Sequence, residues 1–466
     1  MNLPNGTGGK PTTACEPKPG PKNRTIMVLA PHPDDEVMMT GGVVKRAVDA
    51  GDNVYVLVAT LGDYDGVEMG RKRMQESIDA MHKLGLPLGR LLFLNYGDNG
   101  GLEQYLPQKF TDSMLYRLYT ASSPKQVFTS RAGQTKTYNG AMPAYHYRVF
   151  GTQASYTRQN FLGDLQHAIN AARPDEIYTT SRFDLHADHA ILGMFAGEAI
   201  INIRKQNAEY CPTVYEAIVH SCAGDDRWPE KNFDFVGLVP FTQPLNLQTA
   251  TTLGWGERIS FVVPTAMQVV PFTKNLKDKT LRVYASQYSG YIGAFAKKEE
   301  VFWARKYNSI SYFATVTASS EKSNRCSALD QSAIKAIDGI RDGYSTSLSK
   351  LGITSHNRFP FAEWATDGEK EGAWLRLDWE DTYLISRVAL YDRPNENDQM
   401  IKSKLYFSNG SHVEVGPLPS SGSVLVVNFE AREANWIKLM VEEVSGTTTC
   451  VGLAEIEVFG TKLAAN

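Results

Sequence analysis

Two hydrophobic periods divide the chain. From Thr25 to about residue 300, short apolar runs alternate with stretches whose apolar residues recur every three to four positions. The runs predict buried strands at Ile26–Ala30, Asn53–Thr60, Arg90–Leu94, Pro174–Thr180, Thr213–His220 and Ile259–Val263. The helical spacing predicts helices at Gly41–Ala50, Arg71–Leu84, Gln159–Ala172 and Ala187–Arg204, with Gly51 and Gly85 as stops. Strands joined by helices imply a parallel sheet with right-handed crossovers, an α/β Rossmann-like domain. Residues 97–155 are rich in Gly, Tyr and Ser, show no period, and read as an insertion over one face of that sheet.

From Thr315 the period changes to two. Trp374–Trp379, Ile385–Tyr391, Ser403–Phe407, Val424–Phe429, Trp436–Glu442 and Ala454–Phe459 are β-type runs separated by Gly, Asn, Pro and Ser turns, the pattern of an all-β sandwich. The boundary falls between Trp303 and Phe313. The sequence therefore predicts a disordered tail over residues 1–23, an α/β domain over 24–305 and a β-sandwich over 313–462.

Composition narrows the function classes. The 466 residues are 42% hydrophobic and 21% charged with a net charge of −3, which gives no reason to expect nucleic acid or an anionic membrane as partner. No apolar run approaches the roughly 20 residues of a membrane span. Met1–Asn23 lacks a signal-peptide core, so a secreted form would have already lost its leader. Five cysteines are too few for a disulfide scaffold and form no CxxC pair.

The candidate chemistry sits at two strand ends. Pro31-His32-Pro33-Asp34-Asp35-Glu36 follows the first strand directly, and His186-Ala187-Asp188-His189 precedes the last long helix of the first region. Open α/β sheets bind ligands at the carboxyl ends of their strands. Either motif alone fits a helix N-terminus complementing the macrodipole, but together they supply the donors of a hydrolytic metal site. On a tight turn His32 and Asp35 can face one side while Asp34 points to solvent. His82, His146, His167 and His220 stand isolated, with nothing to mark them as ligands. Gly62-Asp63-Tyr64-Asp65-Gly66 reads as a plain turn.

This strand, the Pro-His-Pro-Asp-Asp-Glu after it and the distant His-x-Asp-His resemble the PIG-L/LmbE-like deacetylases over roughly residues 24–300. The resemblance implies a zinc-dependent hydrolase, other divalent cations being acceptable, that removes N-acetyl groups from amino sugars or a polysaccharide. It implies His32, Asp35 and His189 as metal ligands, Asp34 as general base, His186 at the oxyanion or leaving nitrogen, and Asp188 orienting His186. Arg73 and Glu76 lie where the family carries an Arg and a Glu ahead of Leu-Gly, and Tyr96-Gly97-Asp98-Asn99-Gly100-Gly101-Leu102 resembles its sugar-contacting loop. Arg73 and Asp98 are thus the expected substrate-binding residues.

Residues 315–460 resemble the coagulation-factor-type discoidin domain, a galactose-binding-like sandwich that also serves as a carbohydrate-binding module. The carriers are Val316-Thr317-Ala318-Ser319-Ser320, Ala336-Ile337-Asp338-Gly339, the Trp374–Trp379 and Ile385–Arg393 runs and Gly452–Gly460. Trp364, His356 and Arg393 are candidate ligand contacts, with a core position equally open to Trp364. Asp338 and Asp342 are candidates for a structural calcium. Cys326 and Cys450 fall near one end of the implied sandwich, so a disulfide between them is expected; Cys211 and Cys222, at either end of one strand, are expected to stay apart. A deacetylase joined to this module points outside the cell. Two other readings fit the same residues: a non-catalytic carbohydrate-binding or adhesion protein, and a zinc amidase acting on another acylated amine.

Overall fold

The computed structural model describes residues 23–102, 109–221, 228–231, 238–245, 247, 251, 253–323, 330–341, 363–393 and 397–463. The tail (1–22), Cys15, Cys222, Cys326, Asp342 and His356 lie outside the described residues.

The first region is a seven-stranded sheet in the order β3-β2-β1-β4-β5-β7-β6. Its strands are β1 (Thr25–Ala30), β2 (Asn53–Thr60), β3 (Leu91–Tyr96), β4 (Glu176–Thr180), β5 (Thr213–Ala217), β6 (Ile259–Val262) and β7 (Glu299–Lys306). The first five run parallel, in register from Ile26↔Val54 through Tyr178↔Tyr215. β7 pairs antiparallel with β5 and β6, an edge the alternating pattern did not reveal. Helices α1 (Asp35–Ala50), α2 (Val67–Leu84), α3 (Met114–Tyr119), α4 (Tyr145–Phe150), α5 (Arg158–Ala172) and α6 (Ala187–Gln206) complete the layers. Two hydrophobic clusters lie on the two faces of the sheet: Ile26, Val28, Val56 and Val58 face one, Met27, Leu29, Leu57 and Ala59 the other.

α1 starts at Asp35, six residues earlier than the helical period predicts. The paired glycines that masked this start are needed for packing. A Cβ on Gly42 would come within 2.8 Å of Val263 and 3.1 Å of the Glu300 carboxylate. Glu300 accepts from the Gly42 and Val43 N–H groups and is ion-paired with buried Lys277 at 2.5 Å. The insertion folds as α3 and α4 over the strand ends. His146 and His167 tie it to α5, through Asp164 (2.6 Å) and Tyr145 (2.8 Å) respectively.

The second region is an all-antiparallel sandwich. Its strands are β8 (Thr315–Ala318), the short pair β9 (Lys322–Ser323) and β10 (Asp330–Gln331), β11 (Trp364–Ala365), β12 (Trp374–Asp392), β13 (Met400–Phe407), β14 (His412–Val415), β15 (Val424–Val444) and β16 (Gly452–Lys462). The main path is β11-β16-β12-β15-β13-β14, with β8 on β12. β12 and β15 each join two runs that the turn signals separated. Register shifts at Asp378/Tyr383 and Ile385/Arg387 show bulges there, where the ladder bends and continues.

Cys450 is a buried free thiol, so the expected Cys326–Cys450 disulfide does not form. Its sulfur packs 3.2 Å from Arg393 Nη1. Cys211, by contrast, is disulfide-bonded. Trp364 is 1% exposed and donates its indole N–H to Ser320 O, which makes it core rather than a ligand platform. Arg393 is likewise turned inward, paired with Glu363 at 2.9 Å and Asp398 at 3.0 Å. Asp338 is buried, its Oδ1 accepting from Ile340 N–H.

Candidate metal and hydrolytic site

β1 delivers its last residue, Ala30, into a turn that two hydrogen bonds fix: Thr60 donates to Pro31 O through both N–H and hydroxyl, at 2.9 Å each. Asp34 then adopts φ 120°, ψ −36°. A non-glycine residue in that region costs about 1–3 kcal/mol and persists only where its surroundings hold it. Here Glu36 accepts from the Asp34 N–H at 2.9 Å and is anchored by Ser77 and Tyr284, at 2.6 and 2.7 Å. Arg73 on α2 completes the clamp, donating to Pro33 O (2.8 Å), Gly62 O (3.3 Å) and the Asp34 carboxylate (3.3 Å). Gly62, at φ 62°, is required by this approach, since a Cβ there would meet Arg73 Nη1 at 2.1 Å.

The turn brings three donors together with α6. His32 Nδ1, Asp35 Oδ2 and His189 Nε2 form a triangle with every side 3.2 Å. α6 reaches close enough because Gly193, one turn beyond His189, lies against Thr180 O, 2.4 Å from where a Cβ would stand. The outer nitrogens face carboxylates: His32 Nε2 is 3.2 Å from Asp188 and His189 Nδ1 is 3.4 Å from Asp184. Both outer nitrogens are therefore placed to carry protons, and both inner lone pairs point at one spot beside a carboxylate. Like partial charges converge there, which a cation relieves. Donors about 2.1 Å from one cation stand about 3.0–3.4 Å apart in octahedral or tetrahedral coordination. The triangle fits that range.

Titration follows the same logic. Burial pushes His189 down, but Asp35 and Asp184 outweigh it and lift its pKa to about 9. Burial would raise Asp35, yet His189 and His32 hold it well below the usual carboxylate range. Without a cation, protons take its place. Asp34 is different. Burial raises it, Arg73 opposes, Asp35 and Glu36 raise it further, and it arrives at about 7. It is 8% exposed, so the expectation that it points to solvent is corrected: Arg73 and the turn enclose it.

Two further expectations change. Asp188 does not orient His186. Its Oδ2 faces His32, and its Oδ1 accepts from the Ser113 hydroxyl and the Leu115 N–H. His186 instead caps α6, its Nδ1 accepting from Asp188 N–H at 3.2 Å. A neutral His186 then carries its proton on Nε2. Burial, with His32, His189 and His220 nearby, holds this ring well below the usual histidine range. The ligand nitrogens of His32, His186 and His189 lie within 4.8 Å of one another, so that proton is presented beside the triangle. Arg73, expected to bind substrate, is 7% exposed and engaged with the turn. Glu76 is bonded to Ser286. Asp98 reaches the site: its carboxylate lies within 4.8 Å of His32 and Asp188, and its Oδ1 accepts from Gly100 N–H at 2.6 Å.

Three residues were missed. Asp184 accepts from the N–H groups of His186, Val219 and His220 and faces His189. Asp63 accepts from Asp98 N–H and the Tyr138 hydroxyl, tying the end of β2 to β3 and the insertion. His220 lies with its ring 5.0 Å from His189 and 5.6 Å from His186. Their positions just past β4, β2 and β5 were the available signal.

Comparison with known proteins agrees with this placement. Residues 27–200 match the PIG-L family, described as GlcNAc-PI de-N-acetylase, and residues 309–459 match a family described only as a domain of unknown function. The chain is 39% identical over 62 residues to the 1D-myo-inositol 2-acetamido-2-deoxy-alpha-D-glucopyranoside deacetylase of Rhodococcus jostii, covering 13% of this chain and 21% of that protein. The same-named protein of Mycobacteroides abscessus is 36% identical over 62 residues, covering 13% and 22%. The matched stretch is thus about a fifth of each relative's length. Solved structures similar to the sandwich include the CpGH89 CBM32-5 module of Clostridium perfringens in complex with GalNAc-β-1,3-galactose (21% identity, 32% of this chain, 96% of that one, TM-score 0.25). A second is the fucolectin of striped bass, Morone saxatilis (18%, 33%, 49%, TM-score 0.25). The arrangement at the strand ends and the family match over the same residues make residues 27–200 of this chain a PIG-L family domain.

Proposed function

We propose that the protein is a zinc-dependent hydrolase that removes N-acetyl groups from amino sugars or from a polysaccharide containing them. The observation that carries this reading is the 3.2 Å triangle of His32, Asp35 and His189 with a raised carboxyl group, Asp34, next to it in sequence. Zinc or another divalent cation would be held by those three side chains, where it polarises an acyl oxygen and acidifies a water. The chain's own groups supply the rest. Asp34, poised at about 7, accepts the proton of the attacking water and returns it to the departing nitrogen. His186 donates from Nε2 to the acyl oxygen as charge develops there. The C–N bond breaks, a C–O bond forms, and the products are acetate and a free amine. Asp98, at the rim, offers a carboxylate to sugar hydroxyls.

The α/β domain spans 24–305 and the sandwich 313–462 in this reading, the sandwich holding the enzyme to carbohydrate. The disulfide at Cys211 supports an oxidising compartment, and so a secreted protein. Among the described residues no helix is long and apolar enough to cross a membrane.

The test is acetate release from N-acetylglucosamine and its oligomers, with chelator and after zinc is returned. Chelator-sensitive, zinc-restored release is expected. Release indifferent to chelator overturns the metal. No release from acetyl substrates, with turnover of longer acyl amides, moves the activity to another acylated amine.

A further inference from the structure

The four rings near the triangle form a rhombus. His186 and His189, 4.8 Å apart, share an edge; His32 lies on one side at 4.7 and 5.2 Å, and His220 on the other at 5.6 and 5.0 Å. The first three are accounted for by the metal triangle and the cap of α6. His220 takes part in neither.

His220 is nevertheless held firmly. Its backbone N–H donates to Asp184 at 3.0 Å, beside the Val219 N–H at 2.7 Å. Its ring lies parallel to Tyr291, centroids 5.4 Å apart and planes 9° apart. Tyr291 in turn packs edge-on against Phe295, which touches Trp228 and Phe241. The hydrogen bonds fix the tautomer of a neutral ring. The Tyr291 hydroxyl has one proton and gives it to Val219 O, which can only accept. At 3.3 Å from that hydroxyl, His220 Nδ1 must therefore be the donor. Nε2 is left as a bare acceptor, and it has no hydrogen-bond partner among the described residues. His220 is also the only one of the four histidines that is not fully buried. An immobilised, partly open acceptor beside the reacting centre matches substrates rich in O–H and N–H donors.

We propose that His220 is a substrate-contacting residue whose Nε2 accepts a hydrogen bond from an O–H or N–H of the bound amino sugar. This rests on the deacetylase reading. A contact of this kind, made equally in ground and transition states, sets KM rather than kcat.

The full-length, zinc-loaded protein is compared with His220→Phe and His220→Gln. Acetate release from N-acetylglucosamine gives kcat and KM, and metal analysis gives occupancy. His220→Phe should raise KM about tenfold, with kcat within about threefold and metal content unchanged. His220→Gln, whose amide oxygen can reach the Nε2 position, should recover most of that loss. An unchanged KM overturns the proposal, as does metal loss or a fall in kcat at constant KM. If His220→Phe does not fold, the Gln variant and nitrogen NMR of the wild type decide: adding glucosamine should shift the His220 Nε2 resonance, and an unmoved resonance overturns the contact. Wild-type protein releasing no acetate refutes the deacetylase reading alone, because the glucosamine titration still tests His220.

Discussion

Replacing Asp34 with asparagine separates the base from the metal site. The change keeps shape and removes only the capacity to take a proton. None of the three 3.2 Å contacts that define the triangle involves Asp34, so zinc affinity should stay within about threefold. The turn should survive, since Asn is among the residues that best tolerate positive φ, and the N–H that Glu36 accepts is unchanged. Turnover should fall about 10²–10⁴-fold, the range for loss of a positioned general base. That corresponds to about 3–5 kcal/mol of transition-state stabilisation. Wild-type kcat/KM should also rise with pH along a limb governed by Asp34, because only the carboxylate can accept a proton. In the metal-free protein this group titrates at about 7, with burial raising it and Arg73 opposing. A bound cation favours the ionised form, so the limb should lie at or below 7 and be absent from the variant. Metal analysis alongside acetate release is the assay. Loss of zinc from Asp34→Asn would make Asp34 a ligand, and activity within tenfold of wild type would place the base elsewhere.

Other consequences follow from the surrounding residues. Asp188→Asn takes the carboxylate from His32 Nε2, and should lower zinc affinity about 10–100-fold in a chelator competition while the fold persists. Trp364→Ala should destabilise the sandwich by about 3–5 kcal/mol in denaturant melts, as expected of core rather than a ligand platform. Asp392 gives a pH signature far from the metal. Burial raises it to about 7 against hydrogen bonds from Arg393 N–H and Met400, and its Oδ2 has no partner. A folded pKa above the unfolded value means the native state holds the proton more tightly. Its contribution is full below about pH 4 and is lost as pH rises to 7. The shift of about 3 units sets an upper bound of about 4 kcal/mol. Asp392→Asn should flatten the fall in melting temperature between pH 4 and 7; an unchanged slope would show that Asp392 ionises normally.

The ligand triangle was legible because its parts are short-range. His32 and Asp35 are three residues apart on one turn, and the His-x-Asp-His motif begins a helix, so local pattern alone sets their directions. The partners of those ligands were not legible. Asp188 answers to His32 rather than to His186 two residues away, because His186 turns back to cap its own helix. Arg73 was recognised as part of the site but given the wrong task. Its guanidinium is buried against Pro33, Gly62 and Asp34, and sequence spacing carries no information on which way a long side chain on α2 leans. In the sandwich the same limit split β12 and β15, since a bulge and a turn use similar residues.

One rule applied evenly would have found more. Parallel strands place their carboxyl ends in one row, and each of the five here is followed by a buried or half-buried titratable residue: His32 after β1, Asp63 after β2, Asp98 after β3, Asp184 after β4 and His220 after β5. Asp63, Asp184 and His220 were passed over because they lie outside the two motifs. Yet hydrogen bonds link neighbours along the row: Asp63 accepts from Asp98 N–H, and Asp184 from His220 N–H while facing His189. The sheet sets the spacing of these groups and the hydrogen bonds set their orientation. The motifs therefore mark only the centre of a site whose width is that of the parallel sheet. Substrate selection should reside in the flanking members, Asp98 on one side and His220 on the other, which border the metal donors without belonging to them.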